Sequence, residues 1–189
     1  MPLAATRIIV PLAQAESLVG GDDRPFPPGP WQGVIEEVRT KPLPSNNGQP
    51  FAGYETTDGE ILTLILGQNR PLDGQEDVGN RKFFVDIVLR DGNRQMGEVD
   101  ITEREVPYWQ LQRSARIVAN LARALGQVEE VQMPDGSTAL AVMEGFVDAL
   151  AAGQFDGTQI GFEVVHRNFK RKDGTAGVRE EIKTFFPVG

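Results

Sequence analysis

IGFEVVHRNF (residues 160–169) and VREEIKTFF (178–186) flank the turn-forming KDGTAG (172–177). In the first run Ile160, Phe162 and Val164 share one face. In the second, Ile182 and Phe186 share a face, with Arg179, Lys183 and Phe185 opposite. Alternation with period two on both sides of a glycine-containing turn predicts a β-hairpin, and with it a β-rich fold.

Three earlier stretches read the same way. WQGVIEEVR (31–39) predicts a first strand, followed by the turn-rich loop KPLPSNNGQPFAG (41–53). EILTLILG (60–67) is an unbroken apolar, β-branched run that predicts a buried strand. RKFFVDIVLR (81–90) predicts a third strand ending at the turn Asp91-Gly92, with MGEVDIT (96–102) continuing or pairing with it. Between the third strand and the hairpin the period changes. Leu111, Ala115, Val118, Leu121, Ala122 and Leu125 recur at steps of three and four, one stripe of an amphipathic helix from Pro107 to the stop at Gly126. A second helix is expected from a cap at Ser137 or Thr138, burying Leu140, Met143, Phe146, Val147 and Leu150 and ending at Gly153.

The expected fold class is therefore mainly β with an α insertion. Five strands with helices between the third and fourth is the element order of an OB-like five-stranded barrel. Residues 1–28, which include VGGDDRPFPPGP (19–30), read as an N-terminal arm or linker, and 29–189 as the OB-like domain.

Bulk properties narrow the function. The 189 residues suit one domain plus an arm, and there is no cysteine, so disulfides and thiolate metal sites are excluded. No apolar run approaches the roughly 20 residues of a membrane span, and the N-terminus lacks a secretory pattern, so no membrane partner and a cytoplasmic location are expected. The net charge of −8 counts against nucleic acid in bulk, but the distribution of charge matters more than its sum. Acid gathers in Glu55–Glu60, Asp73–Asp77, Glu98–Glu105 and Glu129–Glu130. Base gathers in HRNFKRK (166–172).

Four stretches, in this order, resemble a family of phage-encoded proteins that bind single-stranded DNA through an OB-like fold. They are PPGPWQGVIEEV (27–38), GNRKFFVDI (79–87), IVANLARALG (117–126) and DGTQIGFEVVHRNFKRKDG (156–174). The likeness spans roughly residues 25–189. It implies a phage origin, host-cell cytoplasm, and a role in DNA replication or recombination. The long loop 40–59 and the acidic stretch Asp91–Pro107 depart from the family pattern. The chain ends in KTFFPVG, so an acidic recruiting tail does not carry over.

Sequence-tolerant binding of unpaired strands needs cations along the phosphates and aromatic faces for the bases. The hairpin supplies both, in His166, Arg167, Phe169, Lys170, Arg171 and Lys172 around its tip and Arg179 and Lys183 on the return strand. A solvated hairpin tip is the plainer alternative. Arg81, Lys82, Phe84 and Arg90 are a second candidate group, with Arg94 extending it. One of Phe83 and Phe84 must be core, and burial of both is the competing reading. Trp31 and, from the long loop, Tyr54 with Phe51 are candidate stackers, although tryptophan is usually mostly buried and loop aromatics often serve as anchors. Arg113, Arg116, Asn120 and Arg123 fall on one side of the helix and read first as a solvated face, the exception being a helix lining a dimer or DNA groove.

Catalysis is not expected. His166 is the single histidine, no Walker loop, nucleophile elbow or dinucleotide fingerprint is present, and no cofactor or metal is implied. The expected function is a sequence-tolerant single-stranded-DNA-binding protein. The alternative is a non-catalytic structural or adaptor module. RNA in place of DNA, a homo-oligomer, and replication or recombination proteins all stay open as partners.

Overall fold

The computed structural model describes residues 26–189. In chain order the elements are β1 (Gly29–Pro42), β2 (Ser45–Asn46), β3 (Gln49–Pro50), β4 (Gly59–Pro71), β5 (Phe83–Asp91) and β6 (Arg94–Gln95). A 3-10 turn at Met96–Glu98 precedes α1 (Trp109–Ala124), β7 (Val128–Gln132), β8 (Thr138–Val142), α2 (Phe146–Ala151), β9 (Gln159–Lys170) and β10 (Ala176–Phe186). The arm assigned to residues 1–28 falls almost wholly outside the described residues.

The long strands form one antiparallel sheet in the order β10-β9-β1-β4-β5-β6. β1 is the hub, pairing Ile35 with Leu66 of β4 and Trp31 with Phe162 of β9. β4 is buried without a break from Ile61 to Gly67. A central strand covered on both faces has no polar side to show, which is why its sequence does not alternate. An aromatic chain runs through the core. Phe26 sits 5.1 Å from both Trp31 and Phe83, and Phe83 sits 5.8 Å from Phe162, between ring centroids. Edge-to-face and tilted pairs of this kind are the favoured aromatic geometry.

The sheet does not close. No backbone ladder joins β5 to β10 among the described residues, so the expected closed barrel is replaced by an open sheet with α1 against both strands. The helix supplies hydrogen bonds where a ladder is missing. Ser114 Oγ accepts the Val88 N–H of β5 at 2.7 Å. Asn120 Oδ1 accepts the Phe185 N–H of β10. Buried backbone donors must find partners, and here a neighbouring helix provides them.

Two local expectations are corrected. The second helix is short, and the first part of its expected span is β8, the return strand of a hairpin that pairs Glu130 with Leu140 and Val128 with Val142. Leu140 and Met143 are exposed; only Phe146 and Leu150 are buried, on α2. Gly145, at φ +79°, breaks the helical register that the apolar spacing suggested, and the turn Pro134-Asp135-Gly136 closes the β7–β8 hairpin just before the expected helix. MGEVDIT contributes the 3-10 turn rather than a strand. In the last strand a register shift between Ile182 and Thr184 reverses the parity, so Phe185, expected outside, is buried opposite Phe162.

Candidate nucleic-acid interface

Register places the hairpin's chemistry. Arg167 pairs with Arg179 and Phe169 with Gly177, so both arginines and the Phe169 ring share one face of the β9–β10 ribbon. Phe169 is exposed and lies across Gly177, where an added Cβ would come within 2.6 Å of its ring. The Arg171 guanidinium stands 5.8 Å from the Phe169 centroid and donates to the Ala176 carbonyl at 2.7 Å. Lys170 and Lys172 are exposed at the tip.

Glu181 organises the base of that face. It pairs with Val165 across the ladder and is 8% exposed. Arg167 Nε donates to its carboxylate at 2.6 Å, Arg179 Nη2 donates to it as well, and Arg113 Nη2 of α1 stands 3.8 Å away. Burial pushes the Glu181 carboxyl up. The guanidiniums of Arg113, Arg179 and Arg167 together outweigh burial and hold it below the ordinary carboxylate range. One carboxylate cannot neutralise three guanidiniums, so the cluster keeps a positive excess.

That excess lines a furrow of 460 Å³ between α1 and β10. Arg113 and Arg116 reach it from the helix, Arg167 from β9, and Arg179 and Lys183 from β10. Arg116 is oriented by the Ile101 carbonyl at 2.5 Å, and Lys183 lies 3.6 Å from Glu163. Trp109, 40% exposed, forms part of the wall. The helix face first read as solvated is thus brought against the hairpin, apart from Arg123, which does not line the furrow. Trp109 was missed in the sequence. Its only signal there is its position off the apolar stripe, at the first turn of the helix.

The second candidate group is dispersed into ion pairs. Arg81 pairs with Glu180 at 2.5 Å and stacks over Phe26, Lys82 pairs with Glu36 at 2.6 Å, and Arg90 pairs with Asp58 at 3.1 Å. Arg94 lies 3.9 Å over the Tyr108 ring. His166 Nε2 sits 2.7 Å from the Phe26 carbonyl, on the opposite face of the ribbon from Arg167. Trp31 is wholly buried, its indole N–H donating to the Pro27 carbonyl at 2.9 Å, so its ring is closed to stacking on a base. Phe83 is core and Phe84 is 59% exposed, as the alternation requires.

Phe84 and the half-buried Tyr54 line a second cavity of 360 Å³, which shares Arg113, Arg179 and Glu181 with the furrow. Burial, followed by the nearby Asp86 and Asp91 carboxylates, pushes the Tyr54 phenol up against the opposing effect of Arg113, so its hydroxyl stays protonated at neutral pH.

Among the described residues no group of three or more His, Cys, Asp or Glu side chains could hold a metal ion, and no helix is long and apolar enough to cross a membrane. No protein-family model, curated protein or solved structure matches this chain. The likeness to phage single-stranded-DNA-binding proteins therefore rests on its sequence stretches alone.

Proposed function

We propose that this chain is a sequence-tolerant single-stranded-DNA-binding protein with an OB-like architecture, acting in phage DNA replication or recombination. One observation carries the reading. In a protein of net charge −8, cations from α1, β9 and β10 converge on one furrow, and the ribbon face that holds Arg167 and Arg179 also carries the exposed ring of Phe169. Cations tracking phosphates beside aromatic rings is the arrangement that binds unpaired strands without reading sequence. The strand order supports the OB-like reading, because the first strand pairs with both the second and the fourth long strands, as in a partly open Greek-key barrel. RNA offers the same phosphates and is the companion ligand in the test.

The experiment is a fluorescence-anisotropy titration with labelled oligo(dT) and oligo(U). Wild type is compared with the double variant Arg116→Glu, Lys183→Glu, which spares the Glu181 cluster. Loss of at least tenfold in affinity with an unchanged melting temperature is expected. Equal affinity of the two proteins would remove the furrow from the binding site. The alternative of a non-catalytic adaptor module has its own observation in the exposed Met133, Leu140 and Met143 around the β7–β8 hairpin. Absence of any mobility shift with single-stranded DNA at low salt would favour it.

A further inference from the structure

Among the described residues the furrow offers phosphates five cations but bases only one exposed aromatic ring, Trp109. The adjoining cavity has the complementary chemistry. It is 360 Å³, at the small end of ligand pockets, and it meets the furrow at Arg113 and Arg179. Its outer wall is the face of β5 that carries Phe84, the most exposed large aromatic ring of the described residues. Its inner wall carries Tyr54 from the β3–β4 loop and Gln110 from the first turn of α1.

These groups are held in place but not used up. The main chain ties the loop to the helix, since the Gln110 N–H donates to the Gly53 carbonyl at 3.1 Å, and the Tyr54 N–H closes a turn within the loop by donating to the Phe51 carbonyl at 3.1 Å. Asp91 fastens the same loop by accepting from the Glu55 and Thr56 N–H groups at 2.7 and 2.9 Å. The Gln110 side-chain amide and the Tyr54 hydroxyl make no side-chain hydrogen bond within the described residues. By contrast the other polar groups of the cavity are committed to each other. Asp86 accepts from Thr63 at 2.7 Å and from Lys41 at 2.9 Å.

We propose that this cavity takes one nucleobase from the strand whose phosphates lie along the furrow. The base stacks on Phe84, and its edge meets the Gln110 amide and the Tyr54 hydroxyl. An amide places a donor beside an acceptor, and every base offers that pair on at least one edge, so the pocket receives a base without selecting strongly among them. Arg113 and Arg179, shared by both cavities, stand where the phosphate joining the inserted base to the next nucleotide would lie. This inference rests on the nucleic-acid reading above, and its test separates the two.

The full-length chain is titrated with oligo(dT) and with an abasic oligonucleotide of equal length, comparing wild type with Phe84→Ala and Gln110→Ala. Phe84→Ala is expected to weaken oligo(dT) binding by about fivefold to a hundredfold, the worth of one stacked base, while leaving the salt slope unchanged. It should scarcely alter binding of the abasic strand. Wild-type affinity for oligo(dT) in both variants would overturn the pocket while leaving the furrow standing. If wild type binds no oligonucleotide, the nucleic-acid reading fails, and thymidine 5′-monophosphate added to isotope-labelled protein decides the pocket. Resonance shifts at Tyr54, Phe84 and Gln110 would uphold it as a nucleotide site, and their absence would overturn it.

Discussion

Glu181→Gln sets charge against geometry. Glutamine keeps the size and removes the negative charge from the floor of the furrow. If affinity followed local charge alone, this variant would bind single-stranded DNA more tightly, because one repulsive carboxylate has gone. The structure leads to the opposite expectation. Glu181 accepts from Arg167 and Arg179 and stands 3.8 Å from Arg113, so without its charge three guanidiniums repel one another and lose their shared anchor. Breaking a wholly buried ion pair costs about 3–5 kcal/mol. Here the arginine side chains are 38%, 65% and 55% exposed and can turn to water, which lowers the expected loss of stability to about 1–2 kcal/mol. For a chain of this size that is a fall in Tm of about 2–8 °C. Oligo(dT) affinity should fall about three- to tenfold as the arginines splay. Since the folded-state carboxyl is held below its ordinary value, the stability gap between wild type and variant is fully present above about pH 4.3 and shrinks as pH falls through the depressed value. Thermal melts between pH 3 and pH 7, with anisotropy titrations at pH 7, supply both readouts. Tighter binding by a variant of unchanged Tm would show that Glu181 is only an unfavourable charge and not an anchor for the arginines.

Trp31→Ala should destabilise the fold by about 3–5 kcal/mol and lower binding only through unfolding, since the ring is wholly buried; a folded variant with weakened binding would put Trp31 back in contact with the ligand. Asn120→Ala removes the acceptor of the Phe185 N–H and should cost about 1–3 kcal/mol in a denaturant titration, with faster amide exchange at Phe185; an unchanged midpoint would mean that α1 does not stand in for the missing ladder. The triple variant Lys170→Glu, Arg171→Glu, Lys172→Glu alters exposed tip residues and should weaken oligo(dT) binding at unchanged Tm. Unchanged affinity would confine the site to the furrow and the adjoining cavity.

The long strands were legible because their patterns are local. Period-two alternation gave the last hairpin, and an unbroken apolar run gave the doubly covered β4. The stripe from Leu111 to Leu125 gave α1 almost to its ends. The β7–β8 hairpin was not legible as such, because Leu140, Met143, Phe146, Val147 and Leu150 fit a helical spacing as well as a hairpin followed by a short helix. Phe185 was misplaced by one bulge, which no single-residue pattern reveals. The site was half legible. The cations and Phe169 of the hairpin could be named, but whether Arg113 and Arg116 face solvent or a groove depends on where α1 docks, a tertiary fact. Likewise Arg81, Lys82 and Arg90 look like a basic strip in sequence, yet each has an acidic partner far along the chain, in Glu180, Glu36 and Asp58. Charge clusters are visible in one dimension, and their neutralisation only in three.

The furrow itself is tested most directly by the salt dependence of oligo(dT) binding to the wild-type protein. With one guanidinium's worth of charge held by Glu181 and Lys183 paired with Glu163, about three cations remain for phosphates. At about 0.7 per phosphate on a single strand, the plot of log K against log salt should fall with a slope of about −2. No binding at low salt, or an affinity that does not change with salt, would contradict the proposal that this acidic protein holds an unpaired strand in one cationic furrow.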